Sequence, residues 1–167
     1  MGLRSSIWFY SAATDAVLLD QVTKYLARQF LSPGEPVVLI PGLLDLNLTY
    51  NTGAAFGILP DWAPLFIIVA LVAIFAIVKL RRFGGGSAWV SVGLGMLLGG
   101  AVGNLIDRIG FAKRGVTDFI DIHISSFAWP TFNVADVAIV IGAILVISHV
   151  YILERRREDD RHEEAAD

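Results

Sequence analysis

Apolar runs of membrane-spanning length alternate along this chain with short stretches where charged, amide and turn-forming residues collect. A helix needs about 20 mainly apolar residues to cross a bilayer. Residues 62–78 and 83–106 contain no charged residue, and they predict spans over 62–80 and 88–107. A further run opens on Asp136 and stays apolar or neutral, His149 excepted, as far as residue 153, which predicts a span over 135–153. The segment 7–30 is interrupted by Asp15, Asp20, Lys24 and Arg28, but its portion 8–19 is apolar enough to enter a bilayer and predicts the first span. Between the first two spans, Leu44, Leu46 and Leu48 alternate with Asp45, Asn47 and Thr49, the period of a strand with one apolar face. The expected architecture is an all-α membrane protein of four transmembrane helices with a small extracytoplasmic β-sheet. It forms one domain over 1–167, of which 154–167 is a charged cytoplasmic tail.

Composition supports the same class. Of 167 residues 55% are hydrophobic and 17% charged, with a mean hydropathy of +0.64, too apolar for an ordinary soluble domain. The formal net charge of -3 says little about partners, because much of the acidity sits in the tail beside Arg155, Arg156, Arg157 and Arg161. Cysteine is absent, which excludes disulfides, a thiol nucleophile, a thiolate zinc site and lipidation of this chain itself. The first apolar stretch runs into Asp20 and Lys24 with no small-residue cleavage site, so it reads as a retained helix. Cytoplasmic loops are enriched in Lys and Arg. Arg4, Lys79, Arg81, Arg82 and the tail arginines fall on one side, so both termini are expected in the cytoplasm, with the loops 32–61 and 108–132 outside. Those two loops hold most of the polar motifs.

Charged side chains are costly in hydrocarbon and persist near span ends when they pair, face a wet cavity or do chemistry. Asp20 and Lys24 are four apart on one helical face, acid first, which suits either a structural ion pair or contact with a substrate. Asn104, Asp107 and Arg108 share a face at the outer end of the third span. Arg108 can hold a carboxylate or a peptide carbonyl and Asn104 can both donate and accept, although a purely structural network is the alternative. If Asn133 caps the fourth span, Asp136 is its third helical residue, where free amides and the helix dipole stabilise a carboxylate. Asp118 lies in an apolar-flanked stretch just beyond the third span. Two carboxylates brought together cannot both ionise easily, so one keeps its proton and the pair supplies acid and base at once. For either of these, Asp20, Asp107 and Asp121 are rival partners.

Other hydrolytic designs fit worse: there is no His-Glu-x-x-His pattern, no Gly-x-Ser-x-Gly elbow and no serine three residues before a lysine. His123, His149 and His162 are scattered and read as interfacial or packing residues. Gly95, Gly99 and Gly103 recur every fourth residue and predict close approach of a neighbouring helix. A proton-coupled carrier would bury its acids near the membrane midplane, and a non-catalytic scaffold would tolerate their loss. Here, Asp15 apart, the acids of the spans and outer loops collect at one outer surface.

Five blocks stand in register: Asp20-Gln21-Val22-Thr23-Lys24, Asn51-Thr52-Gly53-Ala54-Ala55-Phe56, the glycine-rich block ending Asn104-Leu105-Ile106-Asp107-Arg108, Val116-Thr117-Asp118-Phe119, and Phe132-Asn133-Val134-Ala135-Asp136. Together they resemble the lipoprotein signal peptidase family. The resemblance implies a membrane aspartyl endopeptidase with Asp118 and Asp136 as the catalytic pair. Asn51, Asn104, Arg108 and Asn133 would line the site, with Asp20, Lys24 and Asp107 in support. It implies a prolipoprotein substrate whose cysteine carries diacylglyceryl, cut just before that cysteine in the bacterial cytoplasmic (inner) membrane. Membrane lipids would surround the site and globomycin, a cyclic peptide antibiotic, would inhibit it; no cofactor, metal or nucleic acid is implied. Phe56, Phe127 and Trp129 are expected to cover the site or anchor at the interface. Residues 51–57 are expected to form part of a mobile flap, with Gly53 as its turn.

Overall fold

Proline fixes φ and cannot donate a backbone hydrogen bond, so its positions punctuate helices. The computed structural model describes residues 2–53, 62–83, 87–110, 115–124 and 127–164. Among them, the apolar runs form four helices, α1 (Leu3–Phe30), α2 (Ala63–Leu80), α3 (Ala88–Gly110) and α4 (Val134–Glu164). The chain turns extended at Leu31, shortly before Pro33, as the steric demands of a coming proline favour. Pro64 sits in the first turn of α2, where its missing N–H would have had no partner anyway. Helices α1, α3 and α4 outrun the expected spans, whereas α2 stays within its own. Most of the segment 154–167 is also helical as the end of α4, since its Arg, Glu and Asp residues include no glycine or proline to stop the helix.

α3 is the central helix, packed against both α1 and α4. Its Gly95 and Gly99 lie on the α1 backbone, and a methyl group at Gly99 would stand 2.6 Å from the Ala13 carbonyl. The close approach expected of this glycine stripe is therefore observed. A second small-residue face, not picked out from sequence, meets α4: Gly100 lies on Ala135 and Ile139, and Gly93 opposes Gly142. By contrast α1, α2 and α4 turn large apolar residues outward, among them Leu18, Val22, Val72, Phe75, Val140 and Ile147. Such a surface is unsuited to water and suited to lipid. Among the described residues, Ala88–Gly110 and Val134–His162 are long and apolar enough by themselves to cross a membrane. Pro64–Leu80 is apolar but shorter, and α1 carries the four charges noted above.

Four strands, β1 (Val37–Ile40), β2 (Leu44–Asn51), β3 (Val116–Ile124) and the two-residue β4 (Phe127–Ala128), form an antiparallel sheet in that order. β2 is the strand predicted by its alternating leucines. Its register against β3 slips by one residue: Leu46 faces Ile120, but Thr49 faces Asp118 and Asn51 faces Val116. Side chains alternate along a strand, so without this bulge Asn51 would point to the face opposite Asp118. Leu48 and Phe119 pack on Ala27, which seats the sheet on the C-terminal end of α1. Phe132 exchanges backbone hydrogen bonds of 2.9 and 3.1 Å with Ile120 of β3. That pairing ties the start of α4 to the strand bearing Asp118.

Candidate active site

Asn133, one residue after the Phe132 pairing, caps α4. Its Oδ1 accepts from the Asp136 N–H at 3.1 Å, while Asp136 Oδ2 accepts from the Asn133 N–H at 3.2 Å. This reciprocal cap satisfies free donors at the helix start and holds Asp136 as the third helical residue, as the spacing predicted. With Oδ1 so engaged, Asn133 Nδ2 points the other way and donates to Asp118 Oδ1 at 2.6 Å and to Asn104 Oδ1 at 3.1 Å. Asn104 Nδ2 in turn donates to Asp136 Oδ1 at 2.9 Å. The remaining Asp118 oxygen accepts from Asn51 Nδ2 at 3.1 Å. Asn51 is itself held from two sides: its Oδ1 takes the Gly53 N–H at 3.0 Å, and its carbonyl lies on Gly115, whose φ of +82° and lack of a Cβ permit that approach.

Beneath the two carboxylates lies a buried ionic cluster. Lys24, Asp20 and Asp107 are all fully buried. Lys24 Nζ stands 2.9 Å from Asp20 Oδ2, 3.4 Å from Asp107 Oδ2 and 2.9 Å from Asn104 Oδ1, so its three protons have three acceptors. The Ala135 N–H donates to Asp20 Oδ1 at 2.9 Å, and the Thr117 N–H to Asp107 Oδ2 at 2.9 Å. Asp20 and Lys24 thus form the structural pair that their spacing allowed, and the cluster binds α1, α3, β3 and α4 at one level. Buried charges need this degree of compensation to persist.

Asp118 and Asp136 line one cavity of about 310 Å³ together with Asn51, Gly53, Asn104 and Arg108. Asp118 is 3% exposed. Burial, and next the neighbouring Asp136 carboxylate, push its carboxyl up to about 7, against the amide donors Asn133 and Asn51 and the charge of Lys24. The rival acids are engaged otherwise: Asp20 and Asp107 by Lys24, and Asp121 by Asn47 Nδ2 at 2.9 Å. His123 lies 3.1 Å from Asp45, on the sheet. Trp129 lines the cavity and is half-exposed. Phe56, and with it residues 54–57 of the expected flap, falls outside the described residues.

Three residues of the network were not singled out as site residues from sequence. Gln21 Nε2 donates to Asp20 and to the Gly103 carbonyl, both at 3.1 Å. Arg28 donates to Thr117 Oγ1 at 2.9 Å and stands 3.8 Å from Asp107. The fourfold spacing of Asp20, Lys24 and Arg28 on α1 was the available signal for Arg28. For Gln21 and Thr117 the spacing held none.

Two carboxylates lining one cavity at the mouth of an apolar helix bundle, one of them buried and holding its proton to about 7, are an arrangement that an aspartic-type peptidase can use in a membrane setting. The comparisons agree. A model of the signal peptidase (SPase) II family matches residues 12–152. The lipoprotein signal peptidase of Coxiella burnetii (strain RSA 331 / Henzerling II) is 44% identical over 151 residues, covering 87% of this chain and 89% of its own. That of Geobacillus kaustophilus (strain HTA426) is 38% identical, covering 86% and 92%. A bacterial membrane enzyme solved by the in meso method at 2.3 Å resolution superposes with a TM-score of 0.77 at 34% identity, over 84% of this chain and 85% of that one. The chain belongs to the signal peptidase II family, and it is an integral membrane protease.

Proposed function

We propose that this chain removes the signal peptide from diacylglyceryl-modified prolipoproteins, with Asp118 and Asp136 as its catalytic dyad. The observation that carries the residue assignment is that both carboxylates line one cavity, with the Asn133 amide donating to the Asp118 carboxylate and accepting from the Asp136 backbone N–H. Asp136 is a carboxylate on a helix N-terminus with both oxygens accepting N–H groups. Asp118, buried and beside that charge, keeps the proton. In the reaction, water attacks the carbonyl carbon of the residue before the lipidated cysteine. Asp136 takes a proton from the water as Asp118 gives its proton to the carbonyl oxygen, leaving a neutral gem-diol. Asp136 then protonates the cysteine nitrogen, the C–N bond breaks, and a gem-diol hydroxyl returns its proton to Asp118. Arg108 and Asn51, on the cavity wall, orient the peptide carbonyls.

The setting suits a lipid-bearing substrate. A hollow of about 340 Å³ lined by apolar residues such as Ile122, Phe132, Val137 and Ile141 adjoins the dyad and shares Asp136 and Trp129 with its cavity. In this reading α1 to α4 are four spans of the bacterial cytoplasmic membrane, with both termini in the cytoplasm and the sheet and dyad at the outer surface. Globomycin occupies the cavity.

The test is cleavage of a diacylglyceryl-modified proprotein by the purified protein in detergent. Asp118→Asn and Asp136→Asn are each expected to stay folded and to lose turnover by on the order of 1000-fold. Wild-type cleavage by either variant would remove that residue from the dyad.

A further inference from the structure

The two site asparagines have mirror-image roles that only outside anchors can fix. An asparagine amide presents an acceptor on one side and two donors on the other, so its direction is set by what it meets. Asn133 is anchored by a backbone donor, the Asp136 N–H on its Oδ1. Asn104 is anchored by Lys24, whose ammonium can only donate and which is held by Asp20 and Asp107 so that its third proton meets Asn104 Oδ1 at 2.9 Å. Turned over, Asn104 would set its NH2 against the Lys24 ammonium and against Asn133 Nδ2, three donors with no acceptor among them.

We propose that Lys24 is a positioning residue that dictates the direction of the Asn104 amide, so that Asn104 Nδ2 must donate to Asp136 Oδ1 and Asp136 is the carboxylate that accepts the proton from water. The assignment rests on the dyad reading above. Lys24 touches neither aspartate of the dyad by any observed hydrogen bond; it acts through Asn104. A residue that merely filled the bundle would be needed for folding alone. An orienting residue is needed for turnover, and what matters is that it cannot accept.

Lys24→Gln tests this, because glutamine keeps a donor for the side chain at position 20 but can also accept, which lets Asn104 turn over. The substitution is made on the Asp20→Asn background, where the summed charge of Asp20, Lys24 and Asp107 stays as in the unmodified chain. Asp20→Asn alone is the control for the background, and the unmodified chain is the control for charge, against which the double variant is also expected to show the loss of kcat. Against the background control, the double variant is expected to keep its unfolding temperature in detergent and its KM, and to lose kcat by more than about 100-fold. Lys24→Arg, again a donor only, is expected to retain kcat within about tenfold. Any of three results overturns the proposal: an unchanged kcat in the double variant, a loss carried by KM, or an equal loss in the Arg and Gln variants. Collapse of the fold in every Lys24 variant would also overturn it, by making Lys24 structural alone. Asp118→Asn and Asp136→Asn run beside them: if either cleaves, the dyad reading fails, whereas if both are inert and the double variant is active, only the role of Lys24 fails.

Discussion

Asp118 holds its proton to about pH 7, far above the ordinary 3.8 of an aspartate, because its site is buried and faces a second carboxylate. In the proposed role of proton donor to the carbonyl oxygen, it is competent only below that value. The kcat/KM of the unmodified protein is therefore expected to fall as pH rises through about 7, and a flat profile to pH 9 would contradict the role. The same displacement bears on stability. Below 3.8 the group is protonated folded or unfolded and costs nothing. Between 3.8 and about 7 the unfolded chain loses the proton first, so stability declines as pH rises, and above about 7 the full penalty applies. That penalty is on the order of 4 kcal/mol. Asp118→Asn lacks this slope, so its unfolding midpoint relative to the unmodified chain should climb between about pH 4 and about pH 8, measured by thermal melts in detergent. At this scale the sequence was partly legible. The Asn133 cap could be read from spacing, as could the Asp20–Lys24 pair. The meeting of Asp118 with Asp136 could not, because it depends on Phe132 pairing with Ile120; only the family motifs pointed there. Thr117 joins through its backbone N–H as well as the hydroxyl that Arg28 meets, and the backbone contact is one that no side-chain pattern reveals.

At the scale of elements, small residues decide how near the helices come. A Cβ on Gly100 would stand 2.5 Å from the Ala135 carbonyl and 2.6 Å from Ile139 Cγ1, so Gly100→Ala must push the start of α4 away from α3. Overpacking of this kind costs about 1–3 kcal/mol. It should also weaken the Asn104–Asp136 contact, giving a lower unfolding temperature and slower cleavage together. Gly110→Ala, with nothing near its Cβ among the described residues, is the control and should leave both unchanged or raise stability slightly. The Gly95, Gly99, Gly103 stripe was visible as a fourfold repeat, whereas Gly93, Gly100 and Gly142 were not, since the second face becomes apparent only once α4 is laid across it. Of the sheet, β2 was legible from its leucines. β3 alternates less clearly, with Thr117, Asp121 and His123 on the side away from Asp118, and the register slip in β2 is a property of two strands at once.

For the whole molecule, the apolar runs foretold the four helices, and the ends of those helices were the less legible part, because arginine and glutamate extend a helix in water as readily as leucine does in lipid. The inside-outside arrangement can be checked directly, since the chain has no cysteine of its own. Glu35→Cys should react with a membrane-impermeant maleimide in intact spheroplasts, and Asp159→Cys only after permeabilisation; the reverse pattern would invert the orientation. One dimension has a practical corollary. α4 counts 31 residues, about 46 Å of helix at 1.5 Å each, against a hydrocarbon layer of about 30 Å. In the proposed orientation about its last two turns stand clear of the headgroups as a stiff mast, so a fluorophore or affinity handle carried there is held off the lipid and far from Asp136 at the opposite end of the same rod.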